Sequence, residues 1–137
     1  MSAFYTSNQL DVQASLRVQR SVAVGAVNGT GVSIANYELP VQVLVDAPLA
    51  SSGDTITFTV EHAEDNSTFT AVDASILVDD NGDPATFTQV TDAVAVFERL
   101  TLRRGLLKKY VRVVATTAGS GVDVTVGAYI IGQKASY

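Results

Sequence analysis

Apolar and polar residues trade places with a period close to two along most of this chain, the pattern of strands with one face toward a core and one toward water. The cleanest run is residues 55–62. There Ile56, Phe58 and Val60 share one phase, and Thr55, Thr57, Thr59 and Glu61 share the other. Residues 39–46 form a second strand, with Pro40 near its start, where a missing amide does least harm. In residues 15–24, Leu16, Val18, Val22 and Val24 alternate with Arg17, Gln19 and Ser21, and Arg20 falls on the apolar phase as a bulge or strand-end residue. Shorter strands are expected at 68–72, 76–78, 85–90 and 93–97, the last running on toward Leu100 and Leu102. Residues 109–117 and 122–131 flank the turn Ala118, Gly119, Ser120, Gly121 and together predict a β-hairpin. Asn28 and Gly29, bracketed by Gly25 and Gly31, predict a reversal, because both tolerate positive φ. No segment carries a 3.6-residue period, and residues 105–110 have room for one helical turn at most.

Eight to ten short strands separated by turn signals predict an all-β fold, an antiparallel β-sandwich, with a jelly roll of about eight strands as the arrangement that best limits exposed edges. An extended arm, residues 1–14, precedes a single domain, residues 15–137. At 137 residues the chain is long enough to bury a self-sufficient core. The absence of cysteine excludes a disulfide framework, thiolate zinc sites and cysteine nucleophiles. No apolar run reaches the roughly 18–20 residues of a membrane-spanning helix, and the first residues lack the basic start and apolar core of a secretory signal, so no membrane partner is expected.

Charge is unevenly placed. The net charge of −5 argues against nucleic acid as a partner, since that affinity rests on a surplus of Lys and Arg. Residues 46–98 hold eleven carboxylates and no base, whereas residues 99–137 hold seven bases against Asp123. Six of those bases, Arg99, Arg103, Arg104, Lys108, Lys109 and Arg112, are interleaved with Leu100, Leu102, Leu106 and Leu107. Such a run reads either as solvated strand ends or as a docking surface, because guanidinium forks bind carboxylates and the leucines add apolar area. Phe4 and Tyr5, on the arm, complete the candidate protein interface.

Candidate chemistry is sparse. The run Asp79, Asp80, Asn81, Gly82, Asp83 has the oxygen density of a calcium loop, but Pro84 occupies the glycine slot of an EF-hand and no glutamate closes it, so an acidic turn is the simpler reading. His62 is the only histidine, and no Gly-x-Ser-x-Gly elbow accompanies it. Neither a catalytic site nor a cofactor is expected, and the chain reads as a non-enzyme.

Four stretches carry a family resemblance: residues 5–14 (Tyr5 to Ala14), residues 55–66 (Thr55 to Asn66), residues 108–113 (Lys108 to Val113) and residues 126–131 (Val126 to Ile131). In these the chain resembles the jelly-roll cement, or decoration, proteins that staple the capsids of some tailed bacteriophages. The resemblance implies a structural virion protein, made in a bacterial host cytoplasm and bound to the outer capsid surface. It further implies the major capsid protein as partner and self-association, a dimer being favoured over a trimer. A carbohydrate-binding or adhesive module on a virion or cell surface is the alternative from another class.

Overall fold

The structure, a computed structural model, describes residues 9–19, 25–38, 40–120 and 125–134. Phe4, Tyr5 and the rest of the first eight residues lie outside the described residues. The strands are β1 (Gln9–Gln19), β2 (Gly25–Asn28), β3 (Val32–Ser33), β4 (Val41–Ala47), β5 (Thr55–Ala63), β6 (Thr70–Ala71), β7 (Leu77–Val78), β8 (Val96–Leu102), β9 (Tyr110–Ala118) and β10 (Val126–Lys134). Residues 9–14, expected within the arm, form the first half of β1 and pair along β10.

Two antiparallel sheets face each other. One runs β1, β10, β4, β8, β7; the other runs β2, β9, β5, β6, with β3 also against β9. With β3 and β7, which extend the sheets beside this nest, set aside, the first strand pairs with the last, the second with the next to last, and so inward: β1 with β10, β2 with β9, β4 with β8, β5 with β6. That nested pairing is the jelly roll.

Alternation decides which face is buried. Val41, Val43 and Val45 of β4 and Ala128 and Ile130 of β10 point inward from one sheet, and they meet Ile56, Phe58 and Val60 of β5 and Val111, Val113 and Ala115 of β9. Most of these side chains are branched at Cβ, which suits a pleated, half-buried surface.

Three expectations are overturned. β9 and β10 are strands, but they do not form a hairpin: β9 lies between β2 and β5 in one sheet, and β10 lies between β1 and β4 in the other. Both edges of each strand are therefore occupied, and the connection between them crosses from sheet to sheet. Nor does the chain reverse at Asn28 and Gly29. β2 and β3 both run antiparallel to β9, from Gly25 opposite Thr117 to Ser33 opposite Tyr110. The glycines serve close approach instead, since a Cβ on Gly29 would sit 2.5 Å from Ser15 Oγ, and one on Gly31 would collide with Asn66 and Phe69. The strand expected at 85–90 is also absent as such: it is irregular and touches the sheets through isolated bridges, Pro84 to Val78 and Val90 to Ile56.

Where β2 gives way to β3, the edge of β9 would be left open, and Ser15 closes it. A register shift between Ala14 and Leu16 marks a bulge in β1, and the Ser15 side chain is buried. Its hydroxyl accepts the Val113 N–H at 2.9 Å and donates to the Thr30 carbonyl at 2.9 Å, while Ser15 O accepts the Thr30 N–H at 2.6 Å. Thus β1 of one sheet is hydrogen-bonded to β9 of the other. Ser15→Ala would leave the Val113 N–H buried without its acceptor, and we expect a loss of about 1–3 kcal/mol in denaturant-unfolding free energy. A Ser15→Ala variant as stable as wild type would show that the bond contributes nothing.

Candidate functional site

The basic candidates lie close together in sequence, but Arg99 and Arg112 stand on the outer faces of different sheets. Arg112 projects from the outer face of β9 opposite Glu61 of β5. Its Nε and Nη2 both donate to Glu61 Oε1, at 2.9 and 2.7 Å, and its guanidinium stacks on the Phe69 ring at 4.1 Å. Gly31 leaves the room in which Phe69 lies. Arg112 is therefore ion-paired and largely covered.

Arg103 leaves the end of β8 and donates from Nη2 to the Gly82 carbonyl at 2.7 Å. It thereby holds the acidic turn. Within that turn Asp79 Oδ1 accepts the amides of Asn81 and Asp83 at 2.9 and 3.0 Å, and Gly82 takes the positive φ of 84° that the reversal needs. The carboxylate thus serves the turn's own amides, and among the described residues no three His, Cys, Asp or Glu side chains converge as a metal would require. Arg104 opens a single 3-10 turn, Arg104–Leu106, and Lys109 is exposed beyond it with its ammonium 5.8 Å from the Tyr110 ring. Lys108 packs its backbone against His62, whose Nδ1 accepts the Lys108 N–H at 3.2 Å.

Arg99 stands on the outer face of the other sheet. It lies on the outer side of β8, in a row that the register continues through Leu44 of β4, Tyr129 of β10 and Ala14 of β1. One row over, Phe97 stands opposite Asp46, and on the other side Ile131 stands opposite Val12. Phe97 is 73 % exposed and Val12 51 %. Leu44, Phe97, Arg99, Ile131 and Asp80 surround a shallow recess of about 410 Å³.

The outer face of the second sheet has the opposite character. Thr55, Thr57, Thr59 and Glu61 of β5 face outward, Thr57 opposite Thr116 and Glu61 opposite Arg112. One outer face is therefore hydroxylated and ion-paired, while the other carries exposed aromatic and aliphatic side chains. Phe97, Leu44, Val12 and Ile131 were not singled out by sequence. The available signal was a phenylalanine on the polar phase of β8, in step with Arg99 and Thr101 rather than with Val96 and Leu100.

Comparisons with protein families, with curated proteins and with solved structures each returned no match. Among the described residues no helix is long and apolar enough to cross a membrane.

His62, on the inward phase of β5, is buried, and burial first, then the neighbouring Lys108 charge, hold its pKa below the ordinary 6.5, with Glu64 partly offsetting them. The unfolded chain then takes up a proton near pH 6.5 that the folded chain refuses. Stability is thus complete above that pH and falls as pH is lowered from 6.5 toward the folded pKa. His62→Gln should flatten this part of a stability-against-pH curve measured by urea unfolding. An unchanged slope in the variant would assign the effect to other groups.

Proposed function

We propose that this chain is a structural capsid protein: it binds the outer surface of a virus shell through the outer face of the β1, β10, β4, β8 sheet and stabilises the shell by bridging neighbouring capsomers. The observation that carries the reading is the contrast between the two outer faces. Water suits the threonine face. Phe97, Val12 and their half-buried neighbours instead form an apolar surface, of the kind found at protein interfaces, with Arg99 and Asp46 within it to fix orientation. The partner is the major capsid protein, the place of action is the capsid exterior, and self-association supplies the second point of attachment that bridging needs. The family resemblance in the sequence supports the same reading.

A second reading has its own support. Asp11, Gln13, Ser33, Asn36 and Tyr37 line a polar recess of about 430 Å³ beside β1, with the Tyr37 hydroxyl donating to Asp11 Oδ2 at 2.6 Å. A hydroxyl-rich ligand such as a glycan would suit such a recess, and retention on a glycan array without any capsid would favour it.

The capsid reading is tested with shells prepared without the protein. Wild-type protein should sediment with them and raise their rupture temperature. Phe97→Asp should keep its own unfolding midpoint, because the ring is largely exposed, yet bind about ten- to a hundredfold more weakly, as expected when burial worth about 1.5–3 kcal/mol is lost. Wild-type protein left in the supernatant, or a Phe97→Asp variant that binds as well as wild type, would count against it.

A further inference from the structure

The loop between β8 and β9 is tied to the rest of the fold at both its ends and at Lys108. At its start the Arg103 N–H donates to the Ile76 carbonyl at 2.8 Å, and Arg103 Nη2 donates to the Gly82 carbonyl at 2.7 Å. At its end the Lys109 carbonyl accepts the Ile34 N–H at 3.0 Å. Between these anchors the Lys108 N–H donates to His62 Nδ1 at 3.2 Å. The end ties join peptide groups and side chain to peptide carbonyl, and a peptide carbonyl does not titrate. The middle tie ends on a base.

That tie fixes the state of the ring. A nitrogen that accepts an N–H must keep its lone pair, so His62 is neutral with its proton on Nε2. A second proton goes to Nδ1, where it would point at the Lys108 N–H, donor against donor. The ring is buried on the inward phase of β5, so it has little room to turn away. The charges facing it come from Lys108 on the loop and from Glu64 beyond the end of its own strand. Its partners across the sheet, Thr70 of β6 and Val111 of β9, are uncharged. Burial and the Lys108 ammonium oppose the second proton, and Glu64 favours it. The loop is the easier of the two partners to displace: Gly105 and Leu106 are exposed, Lys108 is half-buried, and Leu107 rests half-buried against the core.

We infer that the Lys108–His62 hydrogen bond is an acid-released latch: a proton on Nδ1 expels the Lys108 N–H, and the middle of the loop swings off the sheet and uncovers Leu107, while Arg103 and Lys109 keep both ends attached. The latch differs from a general loss of stability on acidification in being local, since the sandwich stays folded while the loop opens. It belongs to the single chain and does not depend on the capsid reading, so either can fail without the other.

Nuclear magnetic resonance on the nitrogen-15-labelled full chain tests it, with amide hydrogen exchange normalised to its intrinsic rate and followed from about pH 7.5 to about pH 4.5, a range that spans the titration of a histidine. As His62 takes up its proton, read from its own ring signals, the Lys108 amide should lose protection about two- to tenfold, the change that one hydrogen bond supports. The Val43 and Ile130 amides, in the middle of the first sheet, should keep theirs. His62→Gln, whose side-chain oxygen can accept the same N–H without titrating, should abolish the change. Glu64→Gln, at an exposed position, should move the midpoint to lower pH, and Lys108→Gln, which keeps the amide and removes the ammonium, should move it to higher pH. Lys108 protection that stays constant while His62 titrates, a loss shared equally by Val43 and Ile130, a change that persists in His62→Gln, or a midpoint that neither charge variant moves would each overturn the inference.

Discussion

The Ser15 hydroxyl is where the two sheets are joined by more than packing. A sandwich held only by interdigitated valines leaves its sheets free to slide, because dispersion and area burial are nearly indifferent to small offsets. A directed hydrogen bond is not. By accepting from Val113 and donating to Thr30, Ser15 fixes β1 against β9, and the bulge in β1 that aims it inward also sets the register with β10. Gly29 is confined to a residue without Cβ by the same contact. The interior phase of β9, and through it the phases of β5 and β2, follow from this one alignment.

Once the phases are set, the outer faces are set as well, and they diverge in chemistry. On the β5 and β9 face, charge is consumed internally, as Arg112 is by Glu61 and Phe69. The opposite face holds its apolar residues in rows that cross several strands, so Phe97, Leu44 and Ile131 are fixed relative to one another by backbone ladders rather than by loops. A rigid apolar patch loses little conformational freedom when covered, which favours it as a contact surface over a flexible loop of equal area.

How much of this was legible varies with the physical scale of the signal. Thr55 to His62 could be read almost to the residue, since alternation reports burial and burial is local to the strand. Pairing is not local. Tyr110–Ala118 and Val126–Lys134 have the alternation and the glycine-bearing turn of a hairpin, yet each has two other neighbours, and no property of either strand names them. Glycine in a sequence signals freedom of φ, whereas at positions 29 and 31 it is the close approach of Ser15 and Phe69 that excludes a Cβ. The basic run is likewise close-knit in sequence but not in space. A strand end, a turn and the next strand intervene between Arg99 and Arg112, and they send these side chains to the outer faces of different sheets.

The pairing of β1 with β10 joins Gln9 to Lys134, almost the two extremes of the chain. During synthesis, β1 and β4 are made long before the strand that must lie between them. Closing so long a loop brings no gain until its ends meet, which places folds dominated by such distant pairings at the slow end of the kinetic scale, in milliseconds to seconds. The first sheet can be completed only after β10 has cleared the ribosome, so a nascent chain cut short before residue 126 would expose the inner valines of β4 and present two adhesive strand edges to its surroundings.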